Sequence, residues 1–320
     1  MQPTHPNLND LRYSSFKGVF VAMVTPFSSR KKDSLDREDT KKLLDFLLSK
    51  GVDGLFAFGS TGEGPLLDNY ENFYRDLSDL LPRGIPVILH TGMNTLSQTI
   101  EVSKIVAEDG TADAIAIMPP YFYGLGEKRL QQYYEEIFTE LKEIPVFLYD
   151  IPQFTGNPLS KTLLKYLARR YDNLAGIKSS TPEFSKLAEF TRIGKEYRLS
   201  VFVGNDDYIY SGLCLGATGL VSGPANALPE LYVDLFRHIE QTNLKKAMRE
   251  QSRIDDFIDS VIVDGTHVAR IKQATSTRSI GLRNLSLSFP EELKGEAKEK
   301  VSTKLKEFIA RTEGGDMTKE

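Results

Sequence analysis

The sequence predicts an α/β fold, a (β/α)8 barrel with a C-terminal helical appendage, and three observations lead there. Short apolar runs begin near Gly18, Gly54, Pro86, Ala114, Pro145, Leu174, Ser200 and Gly219, at a spacing of about thirty residues. The runs, among them Pro145-Val146-Phe147-Leu148-Tyr149 and Val201-Phe202-Val203, are almost continuously hydrophobic, as strands covered on both faces of a parallel sheet are. A helical pattern follows each run except where the spacing tightens. Barrels of this kind carry their active sites at the carboxyl ends of the strands, so chemistry is sought there.

The barrel is expected over residues 18–225, behind an N-terminal extension at 1–17. After the second run, Tyr70, Phe73, Tyr74, Leu77 and Leu81 recur at helical spacing; after the fourth, Leu130, Tyr133, Tyr134, Ile137 and Leu141 do the same. These stripes read as core faces packed on a sheet rather than as cofactor contacts. Helix starts are signalled by Thr95 with Gln98 three residues on, and by Thr181 followed by Pro182 and Glu183. Beyond Pro224 the pattern is helical only, with candidates near 228–240, 243–260, 266–276 and 291–311. Residues 226–311 are therefore expected to form a helical region, and 312–320 a flexible tail.

A barrel uses about 250 residues, so a chain of 320 leaves room for that appendage. Its 40% hydrophobic and 26% charged residues are those of an ordinary globular protein. A net charge of -4 gives no electrostatic case for nucleic acid or an anionic membrane as partner, and no apolar stretch approaches the length of a membrane span. The single cysteine, Cys214, can form no internal disulfide and suits a reducing compartment. Residues Met1 to Asn7 lack the basic start and apolar core of a signal peptide, and the expected location is the cytoplasm.

Lys178 ends the run Leu174-Ala175-Gly176-Ile177 and is a candidate nucleophile. Most strand-end lysines simply reach for water. One strand earlier stands Tyr149, a phenol able to move the protons that imine formation requires. Gly59-Ser60-Thr61-Gly62-Glu63-Gly64 offers two hydroxyls and free N–H groups suited to a carboxylate or phosphate; taken alone it reads more readily as a flexible turn. It has neither the Walker ending nor dinucleotide glycine spacing. The loop Pro119-Pro120-Tyr121-Phe122-Tyr123-Gly124 could line a pocket, supply a phenol or pack against a neighbouring subunit. Asp206 and Asp207, in Gly204-Asn205-Asp206-Asp207, lack a histidine or third carboxylate at metal-binding spacing, so hydroxyl recognition or helix capping is expected of them. His90, at the third strand's end, reads as a hydrogen-bonded structural histidine.

Together these segments resemble the dihydrodipicolinate synthase and N-acetylneuraminate lyase family of pyruvate-dependent class I aldolases, across roughly residues 18–290. Seven landmarks fall in the family's order: Val24-Thr25-Pro26-Phe27, the GSTGEG segment, Pro120-Tyr121-Phe122, Tyr149-Asp150-Ile151-Pro152, Gly176-Ile177-Lys178-Ser179-Ser180, Gly204-Asn205-Asp206-Asp207 and Val221-Ser222-Gly223. The resemblance implies a Schiff base on Lys178, proton shuttling by Tyr149, a pyruvyl carboxylate held by Ser60 and Thr61, and the Val221 carbonyl lining the same site. It implies no cofactor and no metal, a small-molecule substrate (pyruvate with an aldehyde, or a 2-oxo sugar acid), and a homo-oligomer built as a dimer of dimers. An ordinary lysine, with a pKa of about 10.4, is neutral in roughly one molecule in 2,500 at pH 7. The chemistry therefore asks for a desolvated setting.

Departures from the family pattern narrow the substrate. Synthases of the lysine pathway carry an arginine two residues after the position of Pro152, where this chain has Phe154, and a phenyl ring cannot clamp a carboxylate. Sugar-acid members direct the equivalents of Ser180, Asp206 and Asp207 at a polyhydroxyl tail, and all three polar groups are present. Many members have a second relay tyrosine where this chain has Phe122, with Tyr123 adjacent. The expected activity is cleavage or condensation of a 2-keto-3-deoxy sugar acid or related 2-oxo acid. The alternatives are 4-hydroxy-tetrahydrodipicolinate synthesis, an imine-forming dehydratase, and a non-catalytic barrel that binds a 2-oxo acid.

Overall fold

The computed structural model describes residues 16–29, 33–262, 267–288 and 291–313. Eight parallel strands close into a barrel in sequence order: β1 (Gly18–Ala22), β2 (Gly54–Ala57), β3 (Val87–His90), β4 (Ala114–Ile117), β5 (Val146–Asp150), β6 (Leu174–Ser179), β7 (Ser200–Val203) and β8 (Gly219–Ser222). Closure is made by β8 against β1, with Phe20 opposite Val221. β3 and β5 each start one residue after the proline that opens the apolar run. Proline has no N–H to give a ladder, but its carbonyl still accepts: Leu55 N–H bonds Pro86 O at 3.0 Å, and Ile115 N–H bonds Pro145 O at 2.9 Å.

Each strand is buried on both faces, and alternation divides its side chains between two cores. Val19, Val21, Leu55, Val87, Leu89, Ile115, Val146 and Leu148 pack outward beneath the helices. Phe20, Phe56, Ile88, Ala114, Ala116, Phe147, Tyr149, Phe202 and Val221 fill the interior. Interior phenyls need space, and Gly54 supplies it: a Cβ there would lie 2.3 Å from the Phe20 ring.

The aromatic stripes are helix faces turned to the outer core. Tyr70, Phe73, Tyr74 and Leu77 are buried on the helix Tyr70–Ser78, and Leu130, Tyr133, Tyr134 and Ile137 on Glu127–Glu140. The first helix ends before Leu81, which turns back to the Leu77 carbonyl. Thr95 caps the helix Leu96–Asp109 by accepting from Gln98 N–H at 3.3 Å. The start expected at Thr181 falls later, at Phe184. Thr181 Oγ1 instead accepts from Glu183 N–H at 3.2 Å, a local turn that competes with helix entry and leaves Pro182 facing the barrel mouth.

After β8 come the helices Pro229–Glu240, Leu244–Phe257, His267–Thr275 and Gly295–Glu313, with π-helical turns at Ile258–Ile262 and Ser276–Ile280. The helix Pro229–Glu240 packs against β1. Among the described residues no helix is long and apolar enough to cross a membrane. Of the expected extension 1–17 and tail 312–320, residues 1–15 and 314–320 lie outside the described residues; Phe16 packs into the barrel interior, and 312–313 continue the helix Gly295–Glu313.

Candidate active site

The carboxyl ends of the strands open into a cavity of about 800 Å³. Its base is set by strand pairing. After a register shift between Val146 and Phe147, β5 and β6 pair with Tyr149 opposite Lys178, and both side chains point inward. The Lys178 amine lies 4.1 Å from the centre of the Tyr149 ring and 4.2 Å from that of Phe56, on a side chain only 3% exposed. Two aromatic faces thus shelter the amine and attract its cationic form. The Tyr149 hydroxyl shares a 3.0 Å hydrogen bond with Ser60 Oγ.

Ser60 and Thr61 are held by a tight loop. Phe58 and Glu63 take left-handed backbone angles, with φ of 56° and 58°, and a Cβ on Gly64 would strike the Phe58 carbonyl at 1.9 Å. Thr25 Oγ1 donates to Gly62 O at 2.5 Å. What fixes the loop is a residue that sequence reading left without a role. Glu63 is fully buried, with its carboxylate 2.6 Å from Lys272 Nζ, and it also accepts from Ser286 Oγ (2.7 Å), Leu287 N–H (2.5 Å) and Ser288 N–H (3.0 Å). Lys272 donates as well to Leu285 O at 2.6 Å. The C-terminal region therefore grips the hydroxyl loop through a buried ion pair. Its one sequence signal is a lysine inside the apolar pattern Val268-Ala269-Arg270-Ile271-Lys272.

On the far side, Ser180 Oγ donates to Gly204 O at 3.1 Å, and its carbonyl accepts from Gln153 Nε2 at 3.0 Å. Asp206 Oδ1 accepts from Ser222 Oγ (2.6 Å) and Tyr232 OH (2.9 Å). Burial pushes the Asp206 carboxyl up to about 6, against the opposing pull of those two hydrogen bonds. Asp207 is exposed at the rim, and the capping of the short turn Asp206–Tyr208 falls to Asn205, whose Oδ1 accepts from Asp207 N–H at 3.3 Å.

Of the residues singled out from sequence, Lys178, Tyr149, Ser60, Thr61, Ser180, Asp206, Asp207, Val221, Tyr121 and Phe154 all line this cavity. Phe122 and Tyr123 do not. Each is 72% exposed, and their rings meet edge to face at 4.8 Å on the protein surface. Asn157 pins that loop, donating to Pro120 O at 2.6 Å and Tyr123 O at 2.9 Å.

His90 differs from its expectation. It is wholly buried, set edge-on to Tyr149 with ring centres 5.7 Å apart, and among the described residues neither ring nitrogen makes a well-formed hydrogen bond, a backbone contact with Phe58 being too poorly aligned to count as one. Burial, aided by the Lys178 charge, lowers its pKa to about 3, so the imidazole is neutral near pH 7. Its place on β3 explains this: it follows Ile88 on the inward face, where the surroundings are apolar. Asp150, beside Tyr149 but facing outward, is fully buried and bonded to Lys186 Nζ at 3.0 Å and Leu159 N–H at 2.9 Å.

The model of the dihydrodipicolinate synthetase family matches residues 15–308. The chain belongs to that family. A 4-hydroxy-tetrahydrodipicolinate synthase of Methanococcus aeolicus is 28% identical over 294 residues, covering 91% of this chain and 99% of its own. YagE of Escherichia coli K12, a candidate 2-dehydro-3-deoxy-D-gluconate aldolase, is 31% identical over 263 residues, covering 81% and 86%. A crystal structure of YagE in complex with pyruvate superposes with a TM-score of 0.85 at 28% identity, covering 92% of this chain and 99% of that one. A sialic acid aldolase of Ruminococcus gnavus, 23% identical with a TM-score of 0.84, shares the fold. As a member of the dihydrodipicolinate synthetase family the protein is a carbon–carbon lyase, a class I pyruvate aldolase.

Proposed function

We propose that Lys178 forms the Schiff base with the C2 carbonyl of a 2-oxo acid, Tyr149 moves the protons, and the substrate is a 2-keto-3-deoxy sugar acid or close relative. The observation that carries this is the in-register pair Tyr149–Lys178, with the phenol hydrogen-bonded to Ser60. The amine attacks C2, water leaves, and the protonated imine serves as electron sink, so the proposed route uses no cofactor. In cleavage the C4 hydroxyl gives up its proton, the C3–C4 bond breaks, an aldehyde departs, and the pyruvate enamine remains to be protonated and hydrolysed. Condensation is the reverse.

Ser60 and Thr61 hold the carboxylate in this proposal, with Val221 beside them. Ser180, Asp206 and Asp207 read hydroxyl groups further out. Phe122 has no hydroxyl and Tyr123 lies outside the cavity, so the partner of Tyr149 within the subunit is Ser60 Oγ. Relatives named as 4-hydroxy-tetrahydrodipicolinate synthases make that activity the competing assignment, but Phe154 puts a phenyl ring where a carboxylate-clamping cation would be needed. The proposal includes a homo-oligomer, a dimer of dimers, working in the cytoplasm, where the exposed Cys214 stays reduced. Release of pyruvate from a panel of 2-oxo sugar acids tests the assignment. Turnover of at least one supports it, and turnover only in condensation of pyruvate with aspartate semialdehyde contradicts it.

A further inference from the structure

We propose that the aldehyde half of the substrate, beyond the hydroxyl groups read by Ser180, Asp206 and Asp207, ends in an uncharged apolar group and carries neither a phosphate nor a second carboxylate. This rests on Lys178 as the imine-forming residue. Among the described residues lining the cavity, Lys178 is the sole cation, and its nitrogen is consumed by the imine. Glu63 is neutralised by Lys272, whereas Asp206 and Asp207 also face the cavity and neither has an ion-pair partner among the described residues. An anionic tail would lose its hydration beside two carboxylates with no cation to replace it.

The rim offers the opposite reward. Leu66 is 51% exposed and Phe154 65% exposed, and both line the cavity. Ile258 and Val268 join them from outside the barrel. Ile258 is the first residue of the π-helical turn Ile258–Ile262, which breaks the line of the helix Leu244–Phe257; such turns recur at functional sites. Four apolar side chains, from the β2 and β5 loops and from two C-terminal elements, converge over a polar base. An apolar tail covers them and removes that surface from water, while the deep hydroxyls hold the pyruvyl end.

The test is condensation of pyruvate with aldehydes that differ chiefly in their far end: butanal, benzaldehyde and succinic semialdehyde. The pyruvate methyl carbon loses a proton and bonds the aldehyde carbon, whose oxygen gains one, so all three follow one reaction. Expected is a kcat/KM for butanal and for benzaldehyde about tenfold or more above that for succinic semialdehyde. Ile258→Lys should raise the ratio of succinic semialdehyde to butanal about tenfold by placing a cation at the rim. Equal or better use of succinic semialdehyde by the unaltered enzyme overturns the inference, as does an Ile258→Lys ratio that does not move. Borohydride trapping with pyruvate alone separates the two levels. An adduct on Lys178 with preference for the charged aldehyde defeats only this inference, and no adduct on Lys178 defeats the imine assignment and the inference with it.

Discussion

Tyr149 and Lys178 face each other across the β5–β6 pair, with the lysine amine 4.1 Å above the centre of the tyrosine ring. The ring covers the amine while its hydroxyl, directed at Ser60 Oγ, stands ready for proton transfer. One residue thus both shelters the amine and supplies an acid–base group. Tyr149→Phe keeps the ring and removes only the hydroxyl. Turnover should fall about 10²-fold or more, the size expected on losing a general acid–base, while pyruvate can still be trapped on the protein. A stopped assay beside mass spectrometry separates the two readouts, and near-normal turnover would move the proton role elsewhere.

The buried pair Glu63–Lys272 predicts an asymmetry in stability. Removing one partner strands a charge, so Lys272→Met should cost about 3–5 kcal/mol. The double variant Glu63→Gln, Lys272→Met leaves no buried charge and should recover a large part of that loss. Urea unfolding of the parent, the two single variants and the double variant checks this. Additive losses in the double variant would show that the two residues act independently.

His90 makes a pH-dependent prediction. Its folded pKa of about 3 lies below the ordinary value of 6.5, so below pH 6.5 the unfolded chain binds a proton that the folded chain refuses. The neutral histidine's contribution is fully present above pH 6.5 and is lost as pH falls toward 3. His90→Leu removes that loss along with two buried ring nitrogens that lack a well-formed hydrogen bond among the described residues. Thermal unfolding should show the variant gaining on the parent as pH is lowered from 7.5 to 4.5, and a pH-independent gap would contradict the assignment.

Phe154 decides between acceptors. A charge-assisted hydrogen bond contributes about 1.5–3 kcal/mol, a factor of roughly ten to 150. Phe154→Arg should therefore shift kcat/KM toward aspartate semialdehyde, relative to a hydroxylated 2-oxo acid, by a factor in that range. If the unaltered protein already prefers the semialdehyde, the synthase assignment takes over.

The barrel was legible because its signals are local. Each strand is a short apolar run, and the prolines at 86 and 145 mark where ladders begin. The opposition of Tyr149 and Lys178 needs more than the adjacency of β5 and β6: the register shifts by one residue between Val146 and Phe147, and without that shift Tyr149 would meet Ile177. What stayed hidden depends on distant residues. Glu63 meets Lys272 across 209 positions, and no local pattern links a glycine-rich turn to a lysine in a later helix. His90 was expected to be hydrogen-bonded because most buried histidines are; only the packing of β3 against the barrel interior shows otherwise. The aromatic loop illustrates a third limit: Tyr121 turns inward while Phe122 and Tyr123 turn out, a choice made by Asn157 more than thirty residues later.

The central claim is that Lys178 carries the imine. Incubation with pyruvate and borohydride, then peptide mapping by mass spectrometry, tests it directly. The account predicts one reduced pyruvyl adduct, on the peptide containing Lys178, and none in Lys178→Ala. An adduct on a different lysine, or an unmodified protein under conditions where it turns over substrate, would contradict it.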